Sequence, residues 1–425
     1  MNKREFTPVH VVICLTVVMS AAERLLGCGA VTYADSSPSL TAWRTLLALA
    51  VVFVMLATTG WTALQQHGER GTAREQALSA WEKGRVGVLD LPDPASSHQL
   101  IAAFFASITA AQRVRLADRY PLVVGNLNGV PLTLRYRANR LAVIQARDAE
   151  RERMRDGRLS LDGRQLANRR MHRFQSMADS DRHLLAFDPT GNGRAAEVFG
   201  DLGSAERVSV VVPGVDTNLL TFERTQRRFT APVGMAESLY DAERAASPRT
   251  RTAVIAWADY TAPAGLGMDA AIGRLASDGA VRLNALTTAL PGDSRVSLIC
   301  HSYGSVVCGM AARRLPARVT DVAVAGSPGM RVESAGQLDT HARVWAMRDQ
   351  DDWIQGVPYL EVVGLGHGAD PMTPAFGARV LSARGAVGHS GYFEPDTESL
   401  RNFADIGVGS YRNTSCADDG DTCRS

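Results

Sequence analysis

From Arg182 onward, short apolar runs rich in β-branched residues alternate with helix-length stretches, and this pattern constrains the chain more than any other feature. The runs lie at residues 183–188, 197–199, 208–213, 253–258, 296–300, 320–325 and 343–347, with a further one at 362–365. Runs this short, apolar on successive positions, predict strands covered on both faces. Helix-length connections between them predict a mostly parallel sheet with flanking helices, the α/β class. In such sheets ligands bind beyond the carboxyl ends of the strands, so residues just after each run are the candidates for chemistry.

The chain has 425 residues, 45% hydrophobic and 21% charged, which is ordinary globular composition. A net charge of +2 leaves no basic field to hold nucleic acid, and that class is set aside. Four regions follow. Residues 1–70 form a membrane-anchor region, 71–181 a helical region packing on the sheet, 182–409 the α/β domain, and 410–425 a polar tail. Within the first, residues 45–64 carry no charge, and twenty helical residues span a bilayer core of roughly 30 Å. Trp43 and Trp61 sit near its ends, where interfacial aromatics are favoured. If this run alone spans, the α/β domain is extracytoplasmic. If residues 9–22 also span, it is cytoplasmic. In the helical region, residues 100–117 have helical spacing and 139–171 form a long charged stretch, separated by a turn-rich loop at 120–131.

The run at 296–300 leads into Cys300-His-Ser302-Tyr-Gly304 and then a helical stretch. Small residues two before and two after a serine allow the tight strand-to-helix turn that lifts a nucleophile clear of a sheet. Ser302 is therefore the candidate nucleophile, with Cys300 in the place where glycine is usual. An attacking serine needs a histidine base held in one tautomer by a carboxylate, in the chain order serine, acid, histidine. After the run at 343–347 come Asp349, Asp351 and Asp352. Asp352, followed by Trp353 and Ile354, is preferred as the acid, with Asp351 and Asp349 as alternatives. His389 is preferred as the base because it lies late, before a final helix expected at 397–406, and His367 is the alternative. His301 is assigned a local packing or hydrogen-bonding role. Charge developing on a substrate oxygen calls for backbone donors, and the N–H groups of Tyr303 and Val215 are the candidates. Residues 257–263 are expected to line the pocket.

Gly125-Asn-Leu-Asn-Gly-Val-Pro131, Arg137-Ala-Asn139-Arg140, the Val-Pro-Gly214 loop, residues 257–263, His301-Ser-Tyr-Gly-Ser305, His367-Gly-Ala-Asp-Pro371, Phe376-Gly-Ala-Arg379 and Gly388-His-Ser-Gly-Tyr-Phe393 occur in this order. Together they resemble the actinobacterial α/β-hydrolase family long catalogued as a domain of unknown function. The resemblance runs over about residues 100–409. It implies an α/β-hydrolase fold and a Ser-Asp-His triad, carried onto Ser302, Asp352 and His389, and it implies no settled substrate.

The expected function is a membrane-anchored serine hydrolase acting on an ester, thioester or amide of a small-molecule or lipid-like acyl compound. The alternatives are a non-catalytic binding or scaffold protein of the same fold, and an acyltransferase using the same triad. Cofactor-binding and metal-ligating residues: none are expected. Gly191-Asn-Gly193 reads as a hairpin turn, and no cysteine pair has metal-ligand spacing. Cys416 and Cys423 are candidates for a disulfide if the tail is extracytoplasmic.

Overall fold

The apolar runs pair into one eight-stranded sheet in the order β1-β2-β4-β3-β5-β6-β7-β8. The strands are β1 (His183–Asp188), β2 (Arg194–Gly200), β3 (Arg207–Val212), β4 (Thr252–Ala258), β5 (Arg295–His301), β6 (Val319–Ala325), β7 (Arg343–Met347) and β8 (Arg379–Val380). Only β2 runs against its neighbours β1 and β4; every other pairing is parallel. This is a computed structural model, describing residues 72–362, 364–418 and 422–424. The described residues belong to the second of two units into which the chain divides after Arg70. The runs at 9–22 and 45–64, and with them the expected membrane helix, lie outside the described residues. Among the described residues no helix is long and apolar enough to cross a membrane.

Two expectations about strands are corrected. Residues 362–365 do not enter the sheet; Glu361–Val362 pairs with Leu365–Gly366 as a separate two-stranded hairpin. The eighth strand is Arg379–Val380, whose two residues are too few to show any periodicity.

Side chains of the central strands divide by the period of two that a pleated strand imposes. Val208, Val210 and Val212 of β3, with Val296, Leu298 and Cys300 of β5, face one core. Val211 and Ile299 face the other. Helices α8 (Arg274–Ala289) and α9 (Gly304–Ala311) cover the first face, while α7 (Pro232–Ala246) and α10 (Glu398–Val408) cover the second. The final helix begins where the Thr397 hydroxyl accepts from Leu400 N–H and ends at Gly409 with φ 79°, the usual pair of start and stop signals.

The region before the sheet is helical: α1 (Ala73–Glu82), α2 (His98–Ser107), α3 (Ala110–Arg119), α4 (Pro121–Val124), α5 (Leu132–Arg153) and α6 (Leu161–Met177). The single helix expected at 100–117 is broken, because Thr109 caps a new one in a reciprocal capping box with Gln112. Ala142 and Val143 of α5 and Phe174 of α6 join the core on the second face of the sheet. Polar side chains from this region also occupy the outer edge of β1. Asn126 pairs with both the N–H and the C=O of Phe187, at 3.1 and 2.8 Å. Arg135 donates to Leu185 O at 2.7 Å and Asn139 to Leu184 O at 2.9 Å. An edge strand would otherwise present these groups to other chains. The helical region therefore wraps the antiparallel edge, and none of its described residues lines the cavity above Ser302.

Candidate active site

β5 ends at His301, and α9 begins at Gly304. Ser302 turns the chain between them with φ 56°, a left-handed conformation that a residue with a Cβ rarely adopts. The strain is held in place by Ser302 N–H, which donates to Ala325 O at 3.0 Å, and by the absence of a side chain at Gly304. A Cβ there would stand 2.2 Å from Val212 O. Cys300, in the place where glycine is usual, bonds to Cys308 one turn into α9. The departure seen in the sequence is thus a covalent tie between the strand before the serine and the helix after it. Cys416 and Cys423 are likewise bonded.

Three separate loops at the carboxyl end of the sheet bring the remaining groups to Ser302. His389 Nε2 lies 2.8 Å from Ser302 Oγ, and His389 Nδ1 lies 2.8 Å from Asp352 Oδ1. Asp352 is fully buried. Burial pushes its carboxyl upward, but hydrogen bonds from His389, Tyr392 and Ile354 N–H outweigh that and hold it below the usual carboxylate range. An ionised carboxylate only accepts, so Nδ1 carries the imidazole proton and Nε2 is free to accept the Ser302 proton. Gly326 makes room for this contact, since a Cβ there would stand 2.8 Å from Asp352 Oδ2 and 3.1 Å from His389 Nδ1.

The other candidates occupy distinct places. Asp349 accepts from Gly388 N–H at 2.8 Å, next to His389 in the chain, and its own N–H donates to Tyr392 OH at 3.0 Å. It orders the two loops without touching the imidazole. Asp351 is exposed and has no contact with His389 among the described residues. His367 lies in the cavity wall, its ring edge-on to Tyr303 at 5.7 Å, and no bond joins it to Ser302. Burial, aided by Arg331, takes its pKa down to about 4.

Tyr392 carried little sequence signal, whereas His301 packs and hydrogen-bonds locally, as expected of it. Tyr392 OH donates to Asp352 Oδ2 at 2.5 Å. The His301 ring packs 5.1 Å from that of His389, and its Nε2–H donates to the His389 carbonyl at 2.6 Å. Burial, and then the neighbouring His389, bring the His301 pKa down to about 4, so it is neutral near pH 7.

The N–H groups of Tyr303 and Val215 donate to no other group among the described residues, and both residues line the cavity with Ser302. The loop carrying Val215 is held from behind: Tyr260 OH donates to Pro213 O at 2.6 Å, and Asp216 N–H donates to Pro263 O at 2.8 Å. Residues 257–263 therefore support this loop and do not line the cavity, contrary to expectation. Trp257 and Tyr260 are buried and stacked, and Asp259 is bound to Arg282. The cavity itself measures about 370 Å³, and its walls are mainly apolar, from Val215, Leu266, Ile354, Val357, Leu360 and Leu365 among others. Among the described residues no group of three or more His, Cys, Asp or Glu side chains is placed to hold a metal ion.

Comparison with known proteins agrees with this architecture. The profile of a family described as "Alpha/beta hydrolase" matches residues 188–362. The uncharacterized protein Rv0963c of Mycobacterium tuberculosis H37Rv is 33% identical over 193 residues, covering 43% of this chain and 71% of that protein. The chain belongs to the α/β-hydrolase family. A second uncharacterized protein of the same organism, Rv2079, is 27% identical over 392 residues, covering 76% of this chain. This α/β-hydrolase chain spans only 57% of the length of Rv2079. A CIB-like hydrolase from Thermoplasma acidophilum aligns in three dimensions with a TM-score of 0.34 and 15% identity, over 55% of this chain and 98% of that one.

Proposed function

We propose that this chain is a membrane-anchored serine hydrolase that cleaves an ester, thioester or amide through an acyl-enzyme on Ser302. The observation that carries the reading is the unbroken path from Ser302 Oγ through His389 to a buried, ionised Asp352, opening into an apolar cavity. Ser302 Oγ attacks the acyl carbon as its proton passes to His389 Nε2. The substrate oxygen, now negative, lies against the Tyr303 and Val215 N–H groups, and fixed donors of this kind stabilise it without reorganisation. Collapse breaks the bond to the leaving group, which takes the proton from His389. Water then repeats the sequence on the acyl-enzyme, losing a proton to His389 and releasing the acid and free Ser302. Asp352 stays ionised throughout and stabilises the imidazolium.

A fluorophosphonate probe tests this directly. Labelling of the wild type and none of Ser302→Ala is expected, and equal labelling of both refutes the reading. The anchor rests on the uncharged run at 45–64. The extracytoplasmic side is favoured because two disulfides form among the described residues, and such bonds persist in oxidising compartments. Protease added to intact cells is expected to remove the hydrolase portion; complete protection would place it inside.

A further inference from the structure

The mouth of the Ser302 cavity is bordered by large apolar side chains that water should disfavour. Leu266 is 69% exposed, Trp353 47%, Leu360 49% and Leu365 43%, yet all four line the cavity. Met268, 62% exposed, and Ile272, 42% exposed, flank in sequence Ala270 and Ala271, which line the cavity. These six side chains come from two segments far apart in sequence, one following β4 and one following β7, both of which contribute to the cavity with Ser302. Scattered exposed apolar residues are ordinary on soluble proteins, but a contiguous rim around an apolar cavity marks an interaction surface.

The hairpin Glu361–Gly366, which carries the exposed Leu365, is tied to the body of the domain. The Arg331 guanidinium pairs with Glu361 at 2.6 Å and donates to Gly366 O at 2.9 Å. Among the described residues the polar side chains on the cavity lining are Ser302, Tyr303, His367 and the Trp353 indole, so a charged or sugar-like ligand would find few partners there.

The place where the chain enters bears on what covers this rim. Arg74 of α1 lies 3.8 Å from Asp188. Asp188 ends β1, which runs in the same direction as β4 because each is antiparallel to β2. The body is therefore entered at the carboxyl end of the sheet, the end that holds Ser302. Leu64 closes the uncharged run eight residues before Thr72.

We infer that this rim docks on a lipid surface and that the substrate is a long-chain acyl ester dissolved in that surface. The inference rests on the hydrolase reading for its chemistry and on the membrane anchor for its setting. Docking removes the rim from water and lets an acyl chain pass from lipid into the cavity without crossing an aqueous gap.

The test uses the full chain reconstituted in phosphatidylcholine vesicles. Turnover of bilayer-dissolved p-nitrophenyl palmitate is compared with that of water-soluble p-nitrophenyl butyrate, for the wild type and for Met268→Ser/Ile272→Ser. Neither substituted residue lines the cavity. The variant is expected to keep butyrate turnover within twofold and fluorophosphonate labelling intact, while palmitate turnover falls about tenfold. Equal loss on both esters, or no loss on palmitate, overturns the docking. A second readout is independent of catalysis: the fluorescence difference between wild type and Trp353→Phe should be quenched in vesicles of brominated phosphatidylcholine. No quenching of that component overturns the docking, as does a dimer in detergent that the Met268→Ser/Ile272→Ser variant dissolves. Failure of Ser302 labelling would instead remove the hydrolase reading, with docking still decided by the quenching.

Discussion

Replacing Asp352 by asparagine isolates what the buried charge does. The amide keeps the volume, and its oxygen can take the Oδ1 place, where Ile354 N–H donates at 2.9 Å and His389 Nδ1 lies at 2.8 Å. The amide nitrogen then faces Tyr392 OH, which can accept. The correct tautomer of His389 is thus preserved, and the loss is that of one negative charge beside the imidazolium that forms during reaction. At a charge separation of about 4 Å and an effective dielectric constant of about 20, that attraction is worth about 4 kcal/mol. With about 1.4 kcal/mol per factor of ten, kcat should fall by about 10³. Steady-state hydrolysis of p-nitrophenyl butyrate, with burst amplitude as an active-site count, measures it. Asp351→Asn should leave the rate unchanged. A rate for Asp352→Asn within tenfold of the wild type, or an equal loss for Asp351→Asn, would refute the assignment of the acid.

Four further outcomes follow from the same structure. His301→Ala removes the brace on the His389 carbonyl, a bond worth about 1.5 kcal/mol, and should lower kcat about tenfold at unchanged KM; His301→Gln, which restores a donor, should recover most of it. His301 has its folded-state pKa depressed from the usual 6.5 to about 4, so its stabilising contribution is full above about 6.5 and lost as pH falls towards 4. Urea unfolding of His301→Gln should therefore vary less over that window. Glu243, buried beside Ser209 and pushed up to about 8 mainly by burial, has the opposite sign: it favours folding below about 4.5, and that advantage is lost as pH rises towards 8, by up to about 5 kcal/mol. Glu243→Gln should flatten this fall, and a wild type equally stable at pH 5 and pH 8 in urea would contradict it. Removing the Cys300–Cys308 bond, whose cysteines are eight residues apart, should cost about 2.5 kcal/mol by loop entropy, or about 3 °C in Tm by calorimetry for a body of this size.

The strands of the central sheet were legible because a β-branched run covered on both faces leaves an apolar signature that does not depend on its neighbours. The turn at Ser302 was legible for a similar reason, since it is a local demand met by local residues. Asp352 was preferred on its loop pattern, with Asp351 and Asp349 left as alternatives, because what distinguishes it is the arrival of Tyr392 and His389 from far along the chain. The run at 362–365 misled because an apolar pair on a surface hairpin has the same composition as a buried strand. The partnership of Cys300 with Cys308 was missed because it spans the turn at Ser302, and spacing alone does not say which way the two side chains point. Asn126 and Asn139 stood out within blocks of residues and Arg135 between them did not, but the role of all three emerges only where they meet β1.

That meeting has a consequence for how the protein is made. Asn126 precedes Phe187, its partner, by 61 residues. At about 5–20 residues per second, the helices have about 3–12 s on the ribosome before the edge they cover is synthesised. This edge strand of the sheet is thus born with its cover already waiting. A chain shortened to begin at the sheet would lose that order of events, and its first strand would be free to pair with the same strand of another molecule.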